Sequence, residues 1–202
     1  MAGPDLHLSQ DPAADALLSA DPLALLLGML LDQQIPMEKA FRGPHVLRER
    51  LGRLDAADLA ERGDLAEVFA VPPAVHRFPG STAGRVQQLC RVLVERYAGS
   101  AAAVWQDAAS GEELLGRLRE LPGFGDQKAR IFLALLGKQL DVRPPGWRES
   151  AGAYGEEGSL RSVADVSSPE TLAQVRAYKQ SVKAAGKQPA KAAGKGQPKA
   201  AR

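Results

Sequence analysis

Apolar residues recur at helical spacing in several stretches of the chain. Leu23, Leu26, Leu27, Leu30 and Leu31 form a broad stripe, and Val86, Leu89, Cys90, Leu93, Val94 and Tyr97 line one side of a helix over 84–97. Leu114, Leu115, Leu118 and Leu121 predict a helix from Gly111, capped by Ser110, to about Leu121, and Ala129, Phe132, Leu133 and Leu136 predict another from Asp126 to Gln139. The polar punctuation agrees. Asp11 and Asp21 each precede a proline and start two short helices, the second ending where Pro36 pushes Ile35 out of helical geometry. Met37 to Leu51 resumes with a kink or break at Gly43-Pro44, and Asp55 and Asp64 cap two short helices that end near Ala70. Residues 71–81 and 143–158 are rich in Pro and Gly and are expected to be irregular; Ser168-Pro169-Glu170 starts a last helix.

This pattern, in an Ala- and Leu-rich chain with 5% aromatics, predicts an all-α fold. It places a helical domain over 11–178, between a flexible N-terminus at 1–10 and a disordered tail at 179–202. The tail repeats Lys-Ala-Ala-Gly-Lys, with Lys179, Lys183, Lys187 and Lys191 four residues apart and no large apolar residue to fold around. Eight of the 26 basic residues lie from Arg176 onward, with no acid among them, so the preceding body carries 18 basic against 24 acidic residues. A flexible polycation suits a polyanionic partner, or else serves only as a solubilising tail.

The other candidate chemistries are thin. Cys90 is the single cysteine, which excludes an intramolecular disulfide and a four-cysteine iron–sulfur cluster. His7, His45 and His76 have no ligand spacing, so no metal centre is expected. The longest apolar run, Leu23 to Leu31, is half a membrane span, and no basic segment precedes it, so a soluble, cytoplasmic protein without membrane contact is expected; a monomer is the expected state.

The remaining feature is Leu121-Pro122-Gly123-Phe124-Gly125-Asp126-Gln127-Lys128-Ala129, which joins two predicted helices by a four-residue turn. Gly123 and Gly125 can take positive φ or admit a second backbone, and the first N–H groups of the following helix lack intrahelical partners. Such a turn can cradle a phosphate oxygen, with Lys128 as a mobile charge beside it, or it can be a plain helical corner.

Leu-Pro-Gly-Phe-Gly followed by Lys-Ala resembles the helix-hairpin-helix of the DNA base-excision glycosylase superfamily. Leu30-Leu31-Asp32-Gln33-Gln34-Ile35 is similar to that family's glutamine-bearing helix end, and residues 84–95 to the helix two elements before the hairpin. His76 to Gly80 and Pro145 to Arg148 resemble strings of a narrower bacterial group of the helix-hairpin-helix and Gly-Pro-Asp type. The resemblance covers roughly residues 20–145. It implies two small helical subdomains with a DNA cleft between them, double-stranded DNA as partner and a nucleoid association. The hairpin residues Leu121, Pro122, Gly123, Phe124, Gly125, Gln127 and Lys128 would hold a backbone phosphate, with a structural monovalent cation at the hairpin and no other cofactor. Gln33 or Gln34 would fill the gap left by an extruded base, since Gln both donates and accepts.

Two departures bear on chemistry. The family's lyase lysine position holds Gln127, which implies a monofunctional glycosylase. The family's catalytic aspartate would fall at Pro145 to Trp147, where no acid stands; the flanking carboxylates are Asp141, a few residues early, and Glu149, slightly late, and Asp141 is the candidate after a shorter connection. A carboxylate is needed because cleavage of an N-glycosidic bond develops positive charge on the sugar. Trp105 and Trp147 are candidates for stacking on a flipped base or for core packing. The expected activity is hydrolysis of a damaged base's glycosidic bond; the alternative is a catalytically inactive DNA-binding or lesion-recognition protein.

Overall fold

A computed structural model describes residues 5–185. Ten α-helices and three short 3-10 turns follow one another without a strand among the described residues: α1 Pro12–Ala20, α2 Pro22–Leu31, α3 Met37–Leu51, α4 Ala56–Glu61, α5 Leu65–Ala70, α6 Pro79–Tyr97, α7 Gly111–Arg119, α8 Asp126–Gln139, α9 Trp147–Ala151 and α10 Pro169–Ala185. The fold is all-α, and no single helix among the described residues is long and apolar enough to cross a membrane.

The polar punctuation works as the spacing predicts except at Asp64, which precedes α5 without a side-chain bond to it. Asp11 accepts from the N–H groups of Ala13 and Ala14, Asp21 from Leu23 and Ala24, and Ser110 from Glu113. Pro12 and Pro22 occupy first helical positions, where their missing N–H costs nothing. Helix α2 is buried along its whole length from Leu23 to Leu31, which explains a sequence that is apolar all round. It is the central rod of a core that runs without interruption from Leu6 to Val175.

Close side-chain approach explains Gly43, and Pro44 does not break the helix. Helix α3 runs unbroken through Pro44, and a Cβ at Gly43 would sit 2.5 Å from a Leu31 methyl. A Cβ at Gly28 would sit 2.7 Å from the Phe41 ring, so each of the two glycines makes room for a side chain of the facing helix. Burial of that seam offsets the hydrogen bond that Pro44 cannot make.

Several expectations need correction. The N-terminus is not free from Leu6 onward: Leu6 and Leu8 are buried, and Ser9 bonds the Asp15 carboxylate through both its N–H and its hydroxyl. Helix α6 begins at Pro79, inside the stretch expected to be irregular, because proline at a first helical position starts a helix. Helix α9 likewise lies within 143–158. The last helix continues to Ala185, so Lys179 and Lys183 are helical rather than part of a tail; Lys187 and Lys191 lie outside the described residues.

Candidate functional site

The hairpin between α7 and α8 is anchored from below. Leu121 and Phe124 are buried, the Phe124 ring meets the Phe132 ring edge-on with centroids 5.9 Å apart, and the Phe124 N–H closes the turn on the Leu121 carbonyl at 3.0 Å. The two glycines differ. Gly123 has φ +83, and a Cβ there would lie 2.4 Å from a Leu30 methyl, whereas Gly125 has φ −75 and open space around it. The turn therefore requires glycine at 123 and merely leaves room at 125. Gly125 caps α8 without a side-chain bond, so the first N–H groups of α8 have no side chain to satisfy them.

Beside the hairpin lies the end of α2. Gln33 reaches across 90 residues of sequence: its Nε2 faces the Gly123 carbonyl at 3.5 Å, while its Oε1 accepts from Arg85 Nη1 at 2.8 Å. Its backbone carbonyl accepts from His76 Nε2 at 2.9 Å. His76 Nδ1 in turn accepts from the Phe78 N–H at 3.1 Å and from the Thr82 hydroxyl at 2.9 Å. These partners require the neutral imidazole with its proton on Nε2. Burial holds the His76 pKa below its ordinary value, in the same sense. Gln34 is exposed and held at φ +57, a conformation a non-glycine residue adopts at a cost.

Lys128 is not the mobile charge expected beside the turn. Its ammonium donates to the carbonyls of Met29 at 2.7 Å, Leu30 at 3.0 Å and Asp32 at 3.4 Å, closing the C-terminus of α2 from outside the helix. A cation suits that pole of the helix dipole. Burial pushes the Lys128 pKa down to about 8, against the pull of the Asp32 carboxylate. Gln127 donates to the Tyr154 hydroxyl at 2.9 Å, and Asp126 is bound by Arg119 and by Arg130.

A monovalent cation at the hairpin does not fit these residues well. The Leu121 carbonyl is taken by the Phe124 N–H, the Gly123 carbonyl faces Gln33, and Lys128 already supplies the positive charge of this corner.

Hairpin and glutamine corner together wall a groove of about 470 Å³ lined by Asp32, Gln33, Gly125, Gln127 and Lys128 among others. Asp32 is half-buried; burial raises its pKa, and the charges of Lys179 and Lys128 oppose the rise. Lys179 of α10 is thus brought within electrostatic reach of the groove. A groove of about 620 Å³ lies elsewhere, between α3 and α10, where Arg42 and Arg176 are paired with Asp11 and Glu38.

Three expected site residues fall elsewhere. Asp141 lies past the far end of α8, about 20 Å from the hairpin at 1.5 Å per residue. It has φ +59, its side chain is 84% exposed, and it pairs with Arg143 at 3.1 Å. Trp105 is buried edge-on against Phe132, with centroids 5.7 Å apart. Trp147 is buried against Gly137, where a Cβ would come 2.4 Å from the indole. Both indoles are core, so neither is free to stack on a base.

Phe78 is the residue that sequence reasoning missed. It is 44% exposed, stands 6.2 Å from His76 between ring centroids, and carries the Arg77 guanidinium 5.4 Å above its face. The available signal was an aromatic between Arg77 and Pro79, at the start of a helix whose apolar face begins only later. No protein family, curated protein or solved structure matches the chain.

Proposed function

We propose that the chain binds duplex DNA with its hairpin and glutamine corner and acts in base excision as a monofunctional DNA glycosylase. The observation that carries this reading is Gln33: it joins the α2 terminus, the hairpin carbonyl of Gly123 and Arg85 of α6 into one surface. Three segments remote in sequence, each resembling a part of the base-excision superfamily, thereby meet at one groove. The unfilled N–H groups at the start of α8 suit a backbone phosphate. Exposed Gln34 suits the gap left by a flipped base, and Phe78 suits a wedge between base steps.

Gln127 at the hairpin argues against strand cleavage through a Schiff base. Asp141 is set aside as the carboxylate, because it stands a full helix length from the groove. That same absence from the family position favours a second reading, binding and lesion recognition without chemistry.

A cleavage panel separates the two. Duplexes bearing uracil, hypoxanthine, alkylated or oxidised bases are incubated with the protein and then with alkali, which cuts at abasic sites. Product on one lesion, retained by Asp141→Asn, is expected of the enzyme; binding with no product on any duplex would leave the second reading standing.

A further inference from the structure

We infer that Asp32, at the C-terminus of α2, is the carboxylate that serves the hydrolytic step in this groove. The inference rests on the DNA glycosylase reading and adds the residue that reading lacks.

Two carboxylates line the groove, Asp32 and Asp126. Asp126 is spent, since Arg119 and Arg130 both bind it and hold its pKa below the usual range. Asp32 is not. Its backbone N–H caps α2 on the Gly28 carbonyl at 3.2 Å, which is all the helix end asks of it. The carboxylate is half-buried at the groove wall yet makes no hydrogen bond or ion pair among the described residues; the more distant charges of Lys179 and Lys128 pull its pKa down, and that of Glu38 pushes it up. A partly desolvated, unpartnered carboxylate gives a fold little, and such groups cluster where chemistry needs them.

Its neighbours suit the step. Gln33 follows it directly at the surface that would face the DNA, and the Lys128 ammonium sits 3.4 Å from Asp32's own carbonyl oxygen. Positive charge there opposes the rise that burial gives its pKa. In the step, a water oxygen bonds to C1′ of the sugar while the C1′–N bond breaks. The water's proton passes to the Asp32 carboxylate, and the electron pair of the broken bond leaves with the base, which takes a proton from solvent. Nothing is oxidised or reduced.

The test compares full-length parent, Asp32→Asn and Asp32→Glu on the lesion panel, alongside duplex binding and thermal melting. Asp32→Asn should lose base release at least a hundredfold, bind undamaged duplex at least as tightly as the parent, and melt no lower, because an unpaired, half-buried charge has gone. Asp32→Glu should recover part of the release, and the acidic limb of the parent's pH profile should lie above the ordinary aspartate value of 3.8. Base release that persists in Asp32→Asn would overturn the inference while leaving the glycosylase reading intact. A lower melting temperature with lost release would also overturn it, marking Asp32 as structural. Duplex binding by the parent without release from any lesion would overturn both the inference and the enzymatic reading.

Discussion

His76 donates from Nε2 to the backbone carbonyl of Gln33 at 2.9 Å, and this one bond pins the glutamine corner to the start of α6. The imidazole is buried and its Nδ1 accepts from two donors, so a second ring proton has nowhere to go. The folded-state pKa lies below the ordinary value of 6.5, which the unfolded chain retains. Below pH 6.5 the unfolded state therefore binds a proton that the folded state refuses. Stability should be complete above that pH and fall as the pH drops toward the depressed folded value. Urea midpoints at pH 8 and pH 5 should differ in that sense, and His76→Phe should flatten the difference while lowering stability at pH 8.

The hairpin glycines should respond differently. Gly123→Ala forces an L residue into a left-handed conformation and against Leu30, and should cost about 1–2 kcal/mol or more. Gly125→Ala meets open space and loses only a modest capping preference, under about 1 kcal/mol. Denaturant titrations of the two variants check the order.

Lys128 carries a second pH signature. With its folded pKa pushed to about 8 and an unfolded value of 10.5, the unfolded chain holds a proton that the folded chain lacks between those limits. Stability from this group should therefore rise with pH from about 8 to 10.5. Lys128→Met should lose that rise and, at neutral pH, leave the terminal carbonyls of α2 without their donor, at about 1–3 kcal/mol. The difference between parent and variant, measured at pH 7.5 and pH 10, isolates the effect from other titrating groups.

Trp147 should behave as core. Trp147→Ala should cost about 3–5 kcal/mol, and Gly137→Ala, which drives a methyl into the indole, about 1–3 kcal/mol. A Trp147 variant with native stability and impaired DNA binding would contradict this assignment.

What the sequence made legible was local. Helix spacing placed α2, α7 and α8, and Asp11, Asp21 and Ser110 cap where their side chains suggested, because these features depend on residues within a turn of one another. Lys128 was misread because its partners lie 96 to 99 residues away, and no local pattern tells an outward ammonium from one turned onto a neighbouring helix end. Asp141 suited a count along the chain, yet the rigid length of α8 carries it away from the hairpin. Leu6 and Leu8 alternate with His7 and Ser9 over too few residues to register as buried.

The central claim is that the hairpin and glutamine corner hold a DNA backbone, and Gly125→Asp tests it most directly. Aspartate is a favoured helix N-cap, so the variant should fold as well as the parent or better while its carboxylate fills the α8 N–H groups and repels phosphate. Fluorescence anisotropy with a duplex oligonucleotide, across a salt series on full-length protein, should show binding weakened at least tenfold with a shallower salt slope at unchanged melting temperature. A folded Gly125→Asp protein that binds duplex as tightly as the parent, with the same slope, would contradict the account.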